Sequence, residues 1–349
     1  MLPKHYKDLM DLEGTSGHEQ SVKAYMQDYM KQYPNYEIVT DYLGSIFAVK
    51  KSKNQDAPTV MIAGHQDEVG LIVSGITSLG QLKVMNTGGL NGEVFISQVM
   101  NVHTTRGVIK GVIGALPPHL KTEQKLSIED LLLDIGAKDK EDVLRAGVQI
   151  GDMVLFDNPF SYTFDAKRVI SKAIDNRYGC GLALDAIKAF HDIELPYHVA
   201  IGATVQEEIG LRGAETAVNK IKPLVFIALD ASPVNDMADK DALGVLGGGC
   251  LLRVYDPRNI MPASLLRYFR NIAKEHHIKA QDYISKGGTD AAKAFSMHEG
   301  ILSTTIGLPA RYIHSTAAMM DLSDLDEARK MLFAVMHDLT PEKIKSLLG

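Results

Sequence analysis

Cysteine is scarce in this sequence: Cys180 and Cys250 are the only two among 349 residues. Each sits in an apolar stretch flanked by glycine. Two isolated thiols build neither a disulfide framework nor a thiolate zinc site, which needs clustered cysteines. They read as small buried residues in a reducing compartment. Long apolar runs are missing too. Stretches such as residues 224–229 fall far short of the roughly 20 residues that span a bilayer. The start, MLPKHYKDLMDLEG, has no apolar core after its positive charges and does not read as a signal peptide. An excess of basic residues is also absent, with 37 Lys and Arg against 43 Asp and Glu, a net charge of -6. This balance argues against a dedicated nucleic-acid binder. It leaves an acidic substrate possible, because the local field of a cleft can oppose the net charge. There is no internal repeat, low-complexity tract or charge block. The expectation is a cytoplasmic protein with neither membrane nor nucleic-acid partners.

What is present is a 45% hydrophobic chain whose length suits two domains, or one large domain with an insertion. Ser16 and Glu19 have capping-box spacing before an amphipathic helix over 22–33. Strands are expected at 36–41, 45–50 and 59–63. From about 68 to 160 the character changes to short β-rich pieces (71–76, 99–103, 107–113, 153–156) between glycine and proline turns, with one short helical piece near 127–133. This reads as a small β-rich inserted domain. After Asp165 helices and buried strands alternate: helix 176–190, strand 198–205, helix 211–220, strands 224–229 and 251–255, helix 262–276, strand 301–306 and helix 325–339. Such alternation predicts an α/β fold, with a sheet covered by helices on both faces.

Five short segments place His, Asp and Glu at the ends of expected strands or the start of a helix, where ligands bind in open α/β sheets. They are Gly64-His65-Gln66-Asp67-Glu68, Ile174-Asp175-Asn176-Arg177, Val205-Gln206-Glu207-Glu208-Ile209-Gly210, Leu229-Asp230-Ala231-Ser232 and Tyr312-Ile313-His314-Ser315. Taken singly each has a plainer explanation. Asp175 could cap the next helix, and Glu207-Glu208 could be a solvated acidic turn. Together they point to a metal site. Two divalent ions about 3.5–4 Å apart can polarise a carbonyl and supply a nucleophile at neutral pH. Such a pair needs a bridging carboxylate, plus one histidine and one terminal carboxylate for each ion. The sequence offers His65, His314, Asp175, Glu208 and Asp230. Imidazole and carboxylate donors suit zinc or cobalt, and the lack of cysteine donors fits a catalytic site. Neighbouring residues of an extended chain point in opposite directions. One carboxylate of Glu207-Glu208 can therefore bind metal while the other serves as general base. Asp67, two residues after His65, lies on the same side and can orient the imidazole.

These segments, with Thr15-Ser16-Gly17 and Glu19, Ile135-Gly136-Ala137, Lys286-Gly287-Gly288-Thr289-Asp290-Ala291 and Arg311, resemble the glutamyl aminopeptidase and tetrahedral aminopeptidase family of dinuclear metallopeptidases, nearly end to end. The resemblance implies a mixed sheet of the zinc-peptidase type, formed by 1–67 and 161–349, with 68–160 as an inserted dimerisation domain. It makes Asp175 the bridging ligand. His65 and Asp230 would complete one metal, Glu208 and His314 the other, with Glu207 the general base and Asp67 the orienter. It further implies a metallo-aminopeptidase acting on peptides, and a homo-oligomer, a dodecamer built from dimers. The stretches 247–257 and 303–315 look most like the glutamyl branch, with Arg253 the candidate to meet an acidic side chain through its guanidinium. A structural salt bridge is the other reading of Arg253. Leucyl-type preference, a deacylase or carboxypeptidase on a related scaffold, and a metal-binding assembly protein without turnover stand as alternatives.

Overall fold

Two central segments, TVMIAGH and VFIALDASP, are apolar at odd and even positions alike, which requires cover on both faces. The computed structural model, which describes residues 2–115 and 127–348, provides that cover. Helices α1 (Lys4–Asp11) and α2 (Gln20–Met30) lead into strands β1 (Glu37–Thr40), β2 (Ile46–Lys50) and β3 (Thr59–His65). The chain then leaves the sheet for β4 (Gly70–Ile76), β5 (Gln81–Thr87), β6 (Val99–Thr104), β7 (Gly107–Ile113), β8 (Leu132–Asp134), α3 (Lys140–Arg145) and β9 (Met153–Phe156). It returns through β10 (Ser161–Tyr162), β11 (Arg168–Ser171), α4 (Ile174–Ala189), β12 (His198–Thr204), α5 (Arg212–Ile221), β13 (Val225–Pro233), β14 (Cys250–Asp256) and β15 (Asn259–Ile260). The remainder is α6 (Ala263–Glu275), β16 (Ala280–Ile284), α7 (Asp290–Phe295), β17 (Leu302–Arg311), β18 (Ala318–Asp321), α8 (Leu322–Asp338) and α9 (Pro341–Leu348).

The larger sheet is mixed and runs β1-β2-β12-β3-β13-β17-β18-β11-β10, with β14, β15 and β16 branching from β17. Its middle, β12-β3-β13-β17, is parallel. Strand alternation splits the core in two. Val60, Ile62, Val225, Ile227 and Leu229 belong to the core that includes Tyr178 and Leu182 of α4 and Leu325 and Leu332 of α8. Met61, Ala63, Phe226 and Ala228 face Ala217 and Val218 of α5 and Ala291 and Ala294 of α7. The expected sheet with helices on both faces is thus present. At the end of β3 a Cβ on Gly64 would lie 2.6 Å from the Gly179 carbonyl carbon. This close approach of β3 to α4 sets His65 beside the start of that helix.

The inserted β-rich domain is a closed barrel, β4-β5-β8-β7-β6-β9. It has its own core, which includes Leu71, Val73, Leu82, Val102 and Leu133, with Phe95 and Phe156 stacked at 5.0 Å between centroids. Closure pairs every strand and leaves no free edge. Residues 116–126 of the expected insertion lie outside the described residues.

Several local expectations change. Ser16 and Glu19 form no capping box: Glu19 is the N-cap of α2, yet its side chain makes no capping bond. The helical piece expected near 127–133 is one 3-10 turn, Ile128–Asp130, followed by β8. β13 continues past Asp230 because β17 pairs with it as far as Ala310, so Asp230 lies inside a strand rather than at its end. Cys180 and Cys250 are buried free thiols, as expected. No helix among the described residues is long and apolar enough to cross a membrane.

Candidate metal centre

His65 closes β3, Asp175 opens α4, Glu207 and Glu208 lie in the turn between β12 and α5, Asp230 lies in β13, and His314 follows β17. The parallel register of β12, β3, β13 and β17 and the close approach of α4 to β3 gather these residues on one side of the central strands. Asn176 Oδ1 accepts from Gly179 N and its Nδ2 donates to Leu229 O, so Asn176 takes the capping role at α4 and leaves the Asp175 carboxylate free. His65, Asp175, Glu207, Glu208, Asp230 and His314 line one cavity of about 310 Å³ together with Arg253.

Asp175 stands between the two histidines. Its Oδ1 is 3.3 Å from His65 Nε2 and its Oδ2 is 3.5 Å from His314 Nε2. Asp230 Oδ1 approaches His65 Nε2 at 3.6 Å, and Glu208 Oε2 approaches His314 Nε2 at 3.5 Å. Glu207 Oε2 is 3.9 Å from His65 Nε2. Ligand atoms of His65, Asp175 and Glu208 converge to within 4.8 Å of one another, as do those of His65, Glu207 and Asp230.

The other nitrogen of each imidazole faces a backbone carbonyl. His65 Nδ1 lies 3.0 Å from Asp67 O and His314 Nδ1 lies 2.7 Å from Gly89 O. A proton held on Nδ1 leaves the Nε2 lone pair for an ion. Asp67 meets His65 with two groups. Its carbonyl takes the closer contact, while its carboxylate, 3.3 Å from His65 Nδ1, also accepts from Glu207 N, Glu208 N and Ser16 Oγ. Gly89, just beyond β5, belongs to the segment containing the barrel, so that segment supplies part of the centre.

Electrostatics favour cations here. Burial, aided by the Asp230 and Glu208 charges, holds the Glu207 carboxyl above its usual range. Burial and the Asp175 charge push Glu208 up to about 8. Burial opposes protonation of His314, but its hydrogen bond to Asp175 and the Glu208 charge raise it to about 10. Asp175 Oδ1 and Glu208 Oε1 are buried without a hydrogen-bond partner. Crowded carboxylates with free lone pairs, beside imidazoles whose Nδ1 atoms face backbone carbonyls, fit divalent cations.

Other residues were not legible from spacing. Arg177, fully buried, donates to the carbonyls of Leu9, Leu12, Gly14 and Gln66 and to Glu68 Oε1. Glu68 is paired as well with Lys172 at 2.6 Å, so this cluster ties the N-terminal segment to the strand end bearing His65. Asp290, at the start of α7, is buried against Thr204, and burial pushes its carboxyl up to about 7.

Comparison with known proteins identifies the family. The family model described as M42 glutamyl aminopeptidase matches residues 44–331. The chain is 38% identical to the glutamyl aminopeptidase of Lactococcus lactis, covering 98% of this chain and 97% of that one. It is 32% identical to the lysyl aminopeptidase of Pyrococcus furiosus, with 96% of each covered. A solved structure of the TET1 peptidase of Pyrococcus horikoshii, described as assembling into a tetrahedron or a large octahedral shell, superposes with a TM-score of 0.87 at 29% identity, over 96% of this chain and 99% of that one. A family match over most of the chain and relatives above 30% identity along its whole length lead to one conclusion: the chain is an aminopeptidase and belongs to the M42 glutamyl aminopeptidase family.

Proposed function

We propose that this aminopeptidase uses two divalent cations, zinc or cobalt, to remove N-terminal residues from peptides, with a preference for glutamate and aspartate. The observation that carries the dinuclear reading is Asp175, whose two oxygens turn to different histidines, each with its own further carboxylate. His65, Asp230 and Asp175 would hold one ion, and Glu208, His314 and Asp175 the other. Bound there, the pair would polarise the scissile carbonyl and make water acidic enough to attack at neutral pH. Glu207 accepts the proton of the attacking water at its carboxylate and returns it to the leaving amine. Asp67 keeps this carboxylate in place through the Glu207 and Glu208 N–H groups.

The acidic preference rests on Arg253. Its guanidinium lines the cavity and is only 6% exposed. It donates to Ser232 Oγ at 2.7 Å and to Gly287 O at 3.1 Å, while its Nε is buried without a partner. Its hydrogen bonds go to neutral acceptors only, with the Asp230 and Asp256 charges nearby, which leaves the guanidinium with unused donor capacity. A substrate carboxylate would meet it. Arg253→Leu should lower kcat/KM for glutamyl and aspartyl anilides selectively. A lost charge-assisted hydrogen bond is worth about 1.5–3 kcal/mol, or about 10- to 150-fold. The readout is the ratio of acidic to leucyl and lysyl kcat/KM in mutant and parent at equal metal loading. An unchanged ratio removes Arg253 from the specificity pocket.

The enzyme works as a homo-oligomer in the cytoplasm, with the barrel as its dimerisation domain. The assembly of the Pyrococcus horikoshii relative supports the homo-oligomer. The exposed valines of the barrel, the cross-strand pair Val99 and Val112 and, further along β7, Val108, support the dimerisation role.

A further inference from the structure

Three successive backbone N–H groups precede or carry the catalytic glutamates, and each is accepted by a buried carboxylate from a distant part of the chain. Glu207 N and Glu208 N donate to the two oxygens of Asp67, both at 3.1 Å. Gln206 N donates to Glu19 Oε1 at 3.1 Å, an oxygen that also accepts from Gly17 N at 2.9 Å. Ser16 Oγ donates to Asp67 Oδ2 at 2.6 Å. Ser16 and Glu19 are 6% and 4% exposed, so neither bond is shared with bulk water. Gln206 has φ 53, a left-handed conformation that costs free energy for a side-chain-bearing residue and persists only where its surroundings hold it.

We infer that Ser16 and Glu19 are positioning residues for the reaction: the loop between α1 and α2 clamps the Gln206-Glu207-Glu208 turn and so fixes the direction of the Glu207 carboxylate. The helix start does not use these side chains: Glu19 turns to Gln206, 187 residues away, and Ser16 to Asp67, 51 residues away. Glu19 acts through Gln206 N, and Ser16 acts through Asp67. Neither touches substrate. The inference rests on Glu207 being the general base, and its test is arranged to fail separately from that reading.

The test uses full-length, metal-loaded enzyme with Glu19→Ala, Glu19→Gln and Ser16→Ala, beside Glu207→Gln. Glu19→Ala frees Gln206 N and should lower kcat about 10- to 100-fold, with KM within about twofold, because binding groups are untouched and only the transition state loses. Glu19→Gln keeps an Oε1 acceptor for both N–H groups and should recover kcat to within about threefold of the parent. Ser16→Ala should lower kcat less, by about three- to tenfold, since Asp67 retains its other donors. If Glu19→Ala does not fold, Ser16→Ala carries the same decision. A folded, fully loaded Glu19→Ala or Ser16→Ala with parental kcat overturns the inference. So does Glu19→Gln impaired as deeply as Glu19→Ala, which would assign the charge rather than the acceptor. An active Glu207→Gln refutes the base assignment instead.

Discussion

Glu207→Gln should keep both metal ions and lose turnover by about 10²- to 10⁴-fold, the usual contribution of a positioned general base. The amide has nearly the shape of the carboxylate and still fits the 9%-exposed site, but it cannot take up the proton of the attacking water. The three N–H groups that fix the turn belong to the backbone and are unaffected. Glu207 Oε2 also lies 3.9 Å from His65 Nε2 and converges with Asp230, so a second outcome is chemically meaningful. Were Glu207 a ligand, the substitution would empty a site. Bound metal and kcat should therefore be measured on the same preparation. Full metal with little turnover assigns the base, and lost metal assigns a ligand.

Asp175→Asn should release both ions together. Outer partners of metal ligands are worth about 10- to 100-fold in affinity, and a ligand shared by two ions should exceed that at each. Asparagine keeps one carbonyl oxygen, so it can face His65 or His314 but cannot bridge them, since its second terminal atom is an N–H donor. His65→Ala should instead empty mainly one position. Metal per chain after dialysis distinguishes the two, and parental affinity for both ions in Asp175→Asn would refute the bridge.

The candidate site residues were legible because they follow apolar strands or helix starts with residue types that a plain core would not tolerate. His65, Asp175, Glu207, Glu208, Asp230 and His314 all meet at one cavity. The central strands were legible for a related reason, since runs such as VMIA are buried on both faces wherever they sit. What spacing could not show is where a side chain finds its partner. Ser16 and Glu19 satisfy the i,i+3 rule of a capping box, yet Glu19 bonds to Gln206, 187 residues away. Arg177 reads as an ordinary helix residue until the fold places four distant carbonyls around it. Gly89 helps to seat His314 through a carbonyl that no residue type advertises. Barrel closure was equally hidden, because it depends on pairings such as β4 with β9 that are set by the return of the chain. Short strands with few residues to pattern, such as AMMD of β18 and AQDYI of β16, carried too little periodicity to be seen.

The central claim is that this cavity hydrolyses the bond after a free N-terminal residue. The most direct measurement is kcat/KM of the metal-loaded protein for a glutamyl anilide and for its N-acetylated form. A cavity of about 310 Å³ leaves little room beyond one residue with its free amine, so an added acetyl group is crowded out. The account predicts hydrolysis of the free amine and a rate lower by about a hundredfold or more, about 2.8 kcal/mol, for the acetylated substrate. Equal rates, or preference for the acetylated form, would contradict it and assign the site to a deacylase.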